Sequence, residues 1–417
     1  MQKAQDLKFA SNQDIKSSIA RLQRKKLEYT AEAFKGWACG FVYQEKSLLL
    51  DPDLQHVLNP ANNFVHDWMH AILANGIMAT ILTLLLKTLE ESKEFDAHDT
   101  FGNYLQKWTF PKALKLQPHS LFSKKRKKSN QEANTFKATA SEFLDMYAIL
   151  SFFMQTVLIP AKHCVEACNV FIELGNLLDI LQATTICSIT PAHLQTAVEA
   201  FFDAVETAHW VDSFHSKFHW LVHLPAELEY LKCLPSCFCL ERKHKAVKKF
   251  AQATSNLKNY EAGVLMDVVA QELYDLKERP GIFLGAIALE HHGLPTKYFK
   301  ELISKYFSFT ECFTCSTLLL QPAGKACKGD FITWCEGETT FGGQICMRIE
   351  VDGKIWSLVS VWAFQSYRAA ICSANWTKTD DTFLVEAALI SQPMSWKESK
   401  GVLTSLVPLY MRHKMPQ

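Results

Sequence analysis

Two short islands in this chain hold the side chains most capable of chemistry. The first is His66 to His70, HDWMH, just ahead of a long apolar run. The second is Lys217 to Ala251, KFHWLVHLPAELEYLKCLPSCFCLERKHKAVKKFA. Each island starts a helical pattern with an acidic residue and sets a histidine three residues on, Asp67 with His70 and Glu241 with His244. Residues three apart share a helix face. Two carboxylates presented in this way suit a metal-dependent phosphoryl-transfer site, in which acidic side chains hold divalent cations against the reacting oxygens. The same residues suit ordinary helix starts, because the N-terminal dipole favours a carboxylate there. Both readings stay open for Asp67, His70 and Glu241 on spacing alone.

Cations follow Glu241 closely: Arg242, Lys243, Lys245, Lys248 and Lys249. Glu241, Lys245 and Lys248 fall on one helical face, which gives either a track for a phosphate backbone or a solvated Glu–Lys pair. A second basic run, Lys124, Lys125, Arg126, Lys127 and Lys128, sits between helical patterns and is expected as an exposed loop. It suits a nuclear-localisation signal or a phosphate-binding loop. His215, His219 and His223 recur at four-residue steps, followed by Cys233, Cys237 and Cys239. Their spacing fits no standard zinc pair, and Pro225 and Pro235 interrupt any single helix, so zinc is not expected there. Cys312 and Cys315 form a lone CxxC whose partners, Cys327 and Cys335, are too widely spaced for a matching pair. Buried free thiols are the simpler account.

The elements that must position these residues are mostly helical. Asn12 to Phe34 reads as a basic amphipathic helix, and a short strand is expected at Phe41 to Tyr43. The apolar spacing predicts one helix from Asp67 to about Glu91, and a weaker one from Phe95 to Leu116, interrupted by Pro111. Asn134 to Thr184 is helical with Pro160 dividing it, and Thr190 caps a helix that starts at Pro191 and runs to about Trp210. Pro225 breaks the following segment. Glu241 to Ala253 is a basic helix, and two more helices precede Thr310. Beyond Phe309 alternation replaces helical spacing. Strands are expected at Phe331 to Cys335, Gly343 to Val351, Lys354 to Ala363, Thr382 to Ala388 and Val402 to Tyr410, with Asp352-Gly353 as a hairpin turn.

The chain has 417 residues, 48% of them hydrophobic, enough for a substantial core. Its net charge of +1 makes any attraction to nucleic acid a local matter. Thirteen cysteines, an odd number, and a polar start, MQKAQDLKFASNQD, predict free thiols in a reducing compartment, nuclear or cytoplasmic. Trp68 to Leu86 is long enough to cross a membrane, but His70 and Asn75 within it favour a buried core helix. A GxxxxGK[ST] phosphate loop, a GxGxxG turn, a GxSxG elbow and HExxH are all missing from the sequence. The commonest nucleotide-binding, hydrolase and metalloprotease readings therefore fall away.

Taken in order, HDWMH, a long helical stretch, HWLVHLP, CLPSCFCLERKHK and then a β-rich tail with KGDFITW and WSLVSVW, the chain resembles transposases of CACTA-type (En/Spm-like) cut-and-paste elements. The resemblance covers roughly Asn59 to Ala251. It implies an RNase H-like domain with a helical insertion, whose Asp, Asp, Glu set holds two Mg²⁺ ions. Asp67 would be the second carboxylate, Glu241 the third, and His70 a supporting histidine. The first carboxylate, which the family places on an earlier strand, has only Asp51 and Asp53 as nearby candidates. The expectation is therefore a chain lacking the start of the catalytic domain.

The sequence thus predicts an α+β protein with a mainly α-helical body, the remnant of an RNase H-like domain with its insertion, and a small C-terminal β-barrel or sandwich. Expected units are 1–116, which includes the Asp67 helix, the basic loop 117–132, the helical domain 133–309 and the β-rich domain 310–417. The expected function is a transposase-derived DNA-binding protein inactive in strand transfer, with Mg²⁺ only if catalysis survives. Lys124 to Lys128, Arg242, Lys245, Lys248 and Lys249 would contact DNA. Homo-oligomers fit this reading, whereas a membrane or a small-molecule cofactor does not. The alternatives are an active Mg²⁺-dependent nuclease or transposase and a non-catalytic protein-interaction scaffold.

Overall fold

The computed structural model describes residues 11–28, 48–51, 53–54, 57–93, 96–114, 117–184, 189–255, 258–278, 287–289, 293–306, 308, 312–315, 317–320, 324–337, 339–391, 393–407 and 415. The strand expected at Phe41 to Tyr43 lies outside these residues. The fold is mixed helix and strand, with a C-terminal antiparallel sheet curled into a half-barrel. Among the described residues no strand precedes Ile287.

The helices in chain order are α1 (Asn12–Glu28), α2 (Pro60–Asn63), α3 (Trp68–Ile72), α4 (Ile77–Glu91), α5 (Ala97–Gln106), α6 (Lys124–Ala133), α7 (Ala140–Phe153), α8 (Val165–Ala183), α9 (Pro191–Thr207), α10 (Ser216–Leu231), α11 (Phe238–Ala253), α12 (Tyr260–Glu278) and α13 (Lys297–Ile303). Several starts follow local chemistry. Thr139 and Glu142 form a capping box on α7. The Thr190 hydroxyl accepts from His193 N at the start of α9, with Pro191 in the first position. Around α8 the apolar faces of α3, α4, α5, α7, α9 and α10 close one core, with Phe101, Phe143, Leu174, Leu178, Phe201 and Leu221 fully buried.

Three expectations need correcting here. The single helix from Asp67 to Glu91 is two, because the chain turns between α3 and α4. Asn75 takes a left-handed φ of 49°, and a Cβ on Gly76 would lie 2.3 Å from Ala71 O. Only glycine admits so close a backbone approach. The whole Trp68–Glu91 segment is long and apolar enough to cross a membrane, and Ile72, Leu73, Ile77, Leu82 and Leu85 are buried within this fold. Pro225 does not break the second island. It lies inside α10, where Phe218, Leu221, Leu224 and Leu228 are buried. That packing offsets a proline penalty of about 3 kcal/mol. The KKRKK run is not a loop either but the first half of α6, whose end is fixed by Asn134 in the left-handed region.

The strands are β1 (Ile287–Leu289), β2 (Cys312–Cys315), β3 (Thr317–Leu320), β4 (Gly324–Cys327), β5 (Phe331–Glu336), β6 (Thr339–Val351), β7 (Lys354–Arg368), β8 (Ser373–Glu386), β9 (Trp396–Ser399) and β10 (Val402–Leu406). The larger sheet runs β2-β6-β7-β8-β10-β9, with β5 also paired to β6; a smaller one runs β1-β3-β4. All pairs are antiparallel. Asp352 (φ 45°) and Gly353 (φ 77°) make the tight turn between β6 and β7, as their types predict. Bulges in β6, β7 and β8 increase the curl. The tail packs on the body. Thr109 pairs with Trp396 as an isolated antiparallel bridge. Asp330 accepts from Lys112 N at 2.9 Å. The Lys397 ammonium sits over the rings of Tyr104, Trp108 and Phe152 at 4.9 to 5.2 Å.

Candidate metal centre and basic helices

The fold brings the two islands together. Asp67 is the N-cap of α3, where its Oδ1 accepts from Met69 N at 3.1 Å and its Oδ2 from His70 N at 3.3 Å. Its Oδ1 also accepts from Cys237 N at 3.2 Å, and Cys237 is the N-cap of α11. One carboxylate therefore serves two helix starts, each of which presents unsatisfied amides. The His70 Nδ1 closes against Asp67 Oδ2. Burial pushes the Asp67 carboxyl up. Hydrogen bonds from His70, from the Cys237 thiol and amide and from Met69 N outweigh it, so the pKa lies below the ordinary carboxylate value.

A carboxylate oxygen of Asp67, a ring nitrogen of His70 and the Cys237 sulfur all lie within 4.8 Å of one another, and all three residues are half-buried. Among the described residues no other group of three such donors converges. Imidazole, thiolate and carboxylate together are the donor set of a borderline-soft ion such as Zn²⁺. Three protein ligands leave a fourth position for water or another side chain. Mg²⁺ favours oxygen ligands, and of these three residues only Asp67 supplies one. Both of its oxygens already hold helix amides. The carboxylate of Glu241, which the family resemblance would add to a two-Mg²⁺ site, lies outside the described residues.

A second set of polar contacts lies alongside. His66 N donates to both oxygens of Glu227, at 3.2 and 3.1 Å, and His66 Nδ1 lies 2.6 Å from Glu227 Oε1. The His66 ring stacks on His223 with centroids 4.7 Å apart, and His223 Nε2 is 3.0 Å from His219 Nε2. Burial holds His223 down at about 4, with His66 and His219 pushing the same way and Glu227 opposing. Lys217 Nζ donates to the carbonyls of His70, Ala74 and Asn75 at 2.8 to 3.0 Å. It thereby satisfies carbonyls that α3 releases at its end.

The expected site residues divide as follows. Asp67 and His70 meet as their spacing implies. Glu241 lies in the first turn of α11, one turn beyond Cys237; its side chain, like those of Arg242 and Lys245, lies outside the described residues. Lys248 and Lys249 are exposed on α11. On α6, Lys124, Lys125 and Lys128 are exposed and Arg126 is half-buried. Lys127 is committed to Glu90 and Asp96, at 3.1 and 2.8 Å. Asp53 N bonds to Asp51 Oδ1, and neither aspartate joins the Asp67 group. Cys312 and Cys315 are buried free thiols in β2.

Sequence reasoning missed Cys237 as a partner of Asp67, and Glu227 as a partner of His66. The steps His219, His223, Glu227 are four residues each, which is one face of a continuous helix. The proline within that helix concealed the signal. Comparison with protein-family models, with curated proteins and with solved structures finds no match to this chain.

Proposed function

We propose that this chain is a transposase-derived nucleic-acid-binding protein that does not carry out strand transfer by itself. The observation that supports this most is the bond from Cys237 N to Asp67 Oδ1. It joins the two islands on which the family resemblance rests, across most of the helical body, at the start of the basic helix α11. In this reading the body descends from the helical insertion of an RNase H-like domain. Asp67, His70 and Cys237 hold a Zn²⁺-class ion that pins α11 in place, and no catalytic step passes through it. Exposed Lys248 and Lys249, with Lys124, Lys125 and Lys128 on α6, contact phosphates.

The test is fluorescence anisotropy on duplex DNA over a salt series. Removing one lysine–phosphate pairing flattens the slope of log affinity against log salt by about 0.9. Lys248→Glu with Lys249→Glu is therefore expected to weaken binding and flatten the slope by about 2. Wild-type affinity that is absent, or unchanged in the double variant, would overturn the assignment. Zinc competition with a chromophoric chelator tests the metal separately: His70→Ala or Cys237→Ser is expected to abolish stoichiometric uptake.

A further inference from the structure

Helix α12 carries two apolar stripes where a surface helix needs one. The first, Tyr260, Val264 and Val268, is buried or half-buried, and α12 packs against α11. The second lies on the opposite face and faces solvent. It consists of Ala262, Met266, Val269, Leu273 and Leu276, of which Met266 is 70% exposed, Leu273 61% and Leu276 56%. The steps between them are four, three, four and three residues, the a/d repeat of a coiled coil.

The flanking positions indicate what covers this stripe. With Met266 and Leu273 at a, and Ala262, Val269 and Leu276 at d, the g positions are Leu265 and Glu272. The e positions that face them across a parallel, in-register pair are Ala270 and Lys277. Leu265, itself 63% exposed, would meet an alanine, and Glu272 would meet a lysine. The helix is complementary to itself in this arrangement, apolar against apolar and acid against base.

We infer that α12 is a homodimerisation helix, pairing in parallel and in register with α12 of a second copy of this chain. This does not depend on nucleic-acid or metal binding.

The experiment is analytical ultracentrifugation of the full chain at tens of micromolar. A species of twice the chain mass is expected. Met266→Glu with Leu273→Glu should give a monomer whose circular dichroism and thermal unfolding match those of the isolated protomer, because neither side chain packs in the core. Glu272→Lys alone and Lys277→Glu alone should each weaken the dimer about tenfold, since each places two like-charged pairs across the seam. Combining them should restore it. A monomeric wild type, or a dimer indifferent to Met266→Glu with Leu273→Glu, would overturn the proposal. Charge swaps that fail to rescue one another would overturn the parallel register.

Discussion

Acidification from about pH 7.5 to about pH 5 is expected to destabilise this protein through His223. The imidazole is wedged between the stacked His66 ring and His219 Nε2, and burial holds it down at about 4 against an ordinary value of 6.5. The fold therefore favours the neutral ring. Its contribution is fully present above about pH 6.5 and is lost as the pH falls through that value towards 4, because the unfolded chain takes up the proton first. At pH 5 the unfolded form gains about 1–2 kcal/mol from this one group, once solvent screening of the half-buried ring is discounted. Urea unfolding at the two pH values, with a chelator present, measures the loss. His223→Phe keeps the stacked ring and removes the titration, so it should lose about 1–2 kcal/mol less than wild type over the same interval. An identical pH-dependent loss in both proteins would refute the reasoning and assign the acid sensitivity elsewhere.

Two further substitutions test how the islands are held. Gly76→Ala places a Cβ 2.3 Å from Ala71 O, so the turn between α3 and α4 must open. A loss of about 3 kcal/mol is expected in urea unfolding, and a variant as stable as wild type would disprove the tight turn. Lys217→Met keeps the alkyl stem but removes the donor to three carbonyls. Burial lowers the Lys217 pKa, which offsets part of the gain, so the net loss should be about 2 kcal/mol. A stabilised variant would mean that desolvation outweighs those bonds.

Features fixed by neighbouring residues were legible in the sequence. Thr190 with Pro191, the hairpin at Asp352-Gly353 and the strands β5, β6, β7 and β10 all depend on side chains a few positions apart. The start of β8 at Ser373 rather than Thr382 was not, because SANWTKTD is too polar to show alternation, and its pairing with β7 and β10 decides the matter. The α3–α4 turn escaped notice because Asn75-Gly76 sits in an otherwise continuous apolar pattern. KKRKK read as a loop by its charge, yet α6 is held by Lys127 reaching Glu90 and Asp96, residues far back in the chain. In the site, Asp67 and His70 could be paired by spacing. Cys237 could not, since its approach depends on how α10 and α11 fold over α3.

The isolated bridges of the C-terminal sheet bear on how such a chain survives its own synthesis. Strand β9, at one edge, meets Thr109, and β2, at the other, meets Gly293. Both covering residues come earlier in the sequence than the edges they cover. Unpaired edges are templates for intermolecular pairing, and long antiparallel sheets are slow to assemble. As the chain leaves the ribosome, the helical part is already made when the last strands emerge. Thr109 is thus already in place to cap β9 as that strand forms, and a rearranged gene that translated the sheet first is expected to leave this edge bare and prone to aggregate.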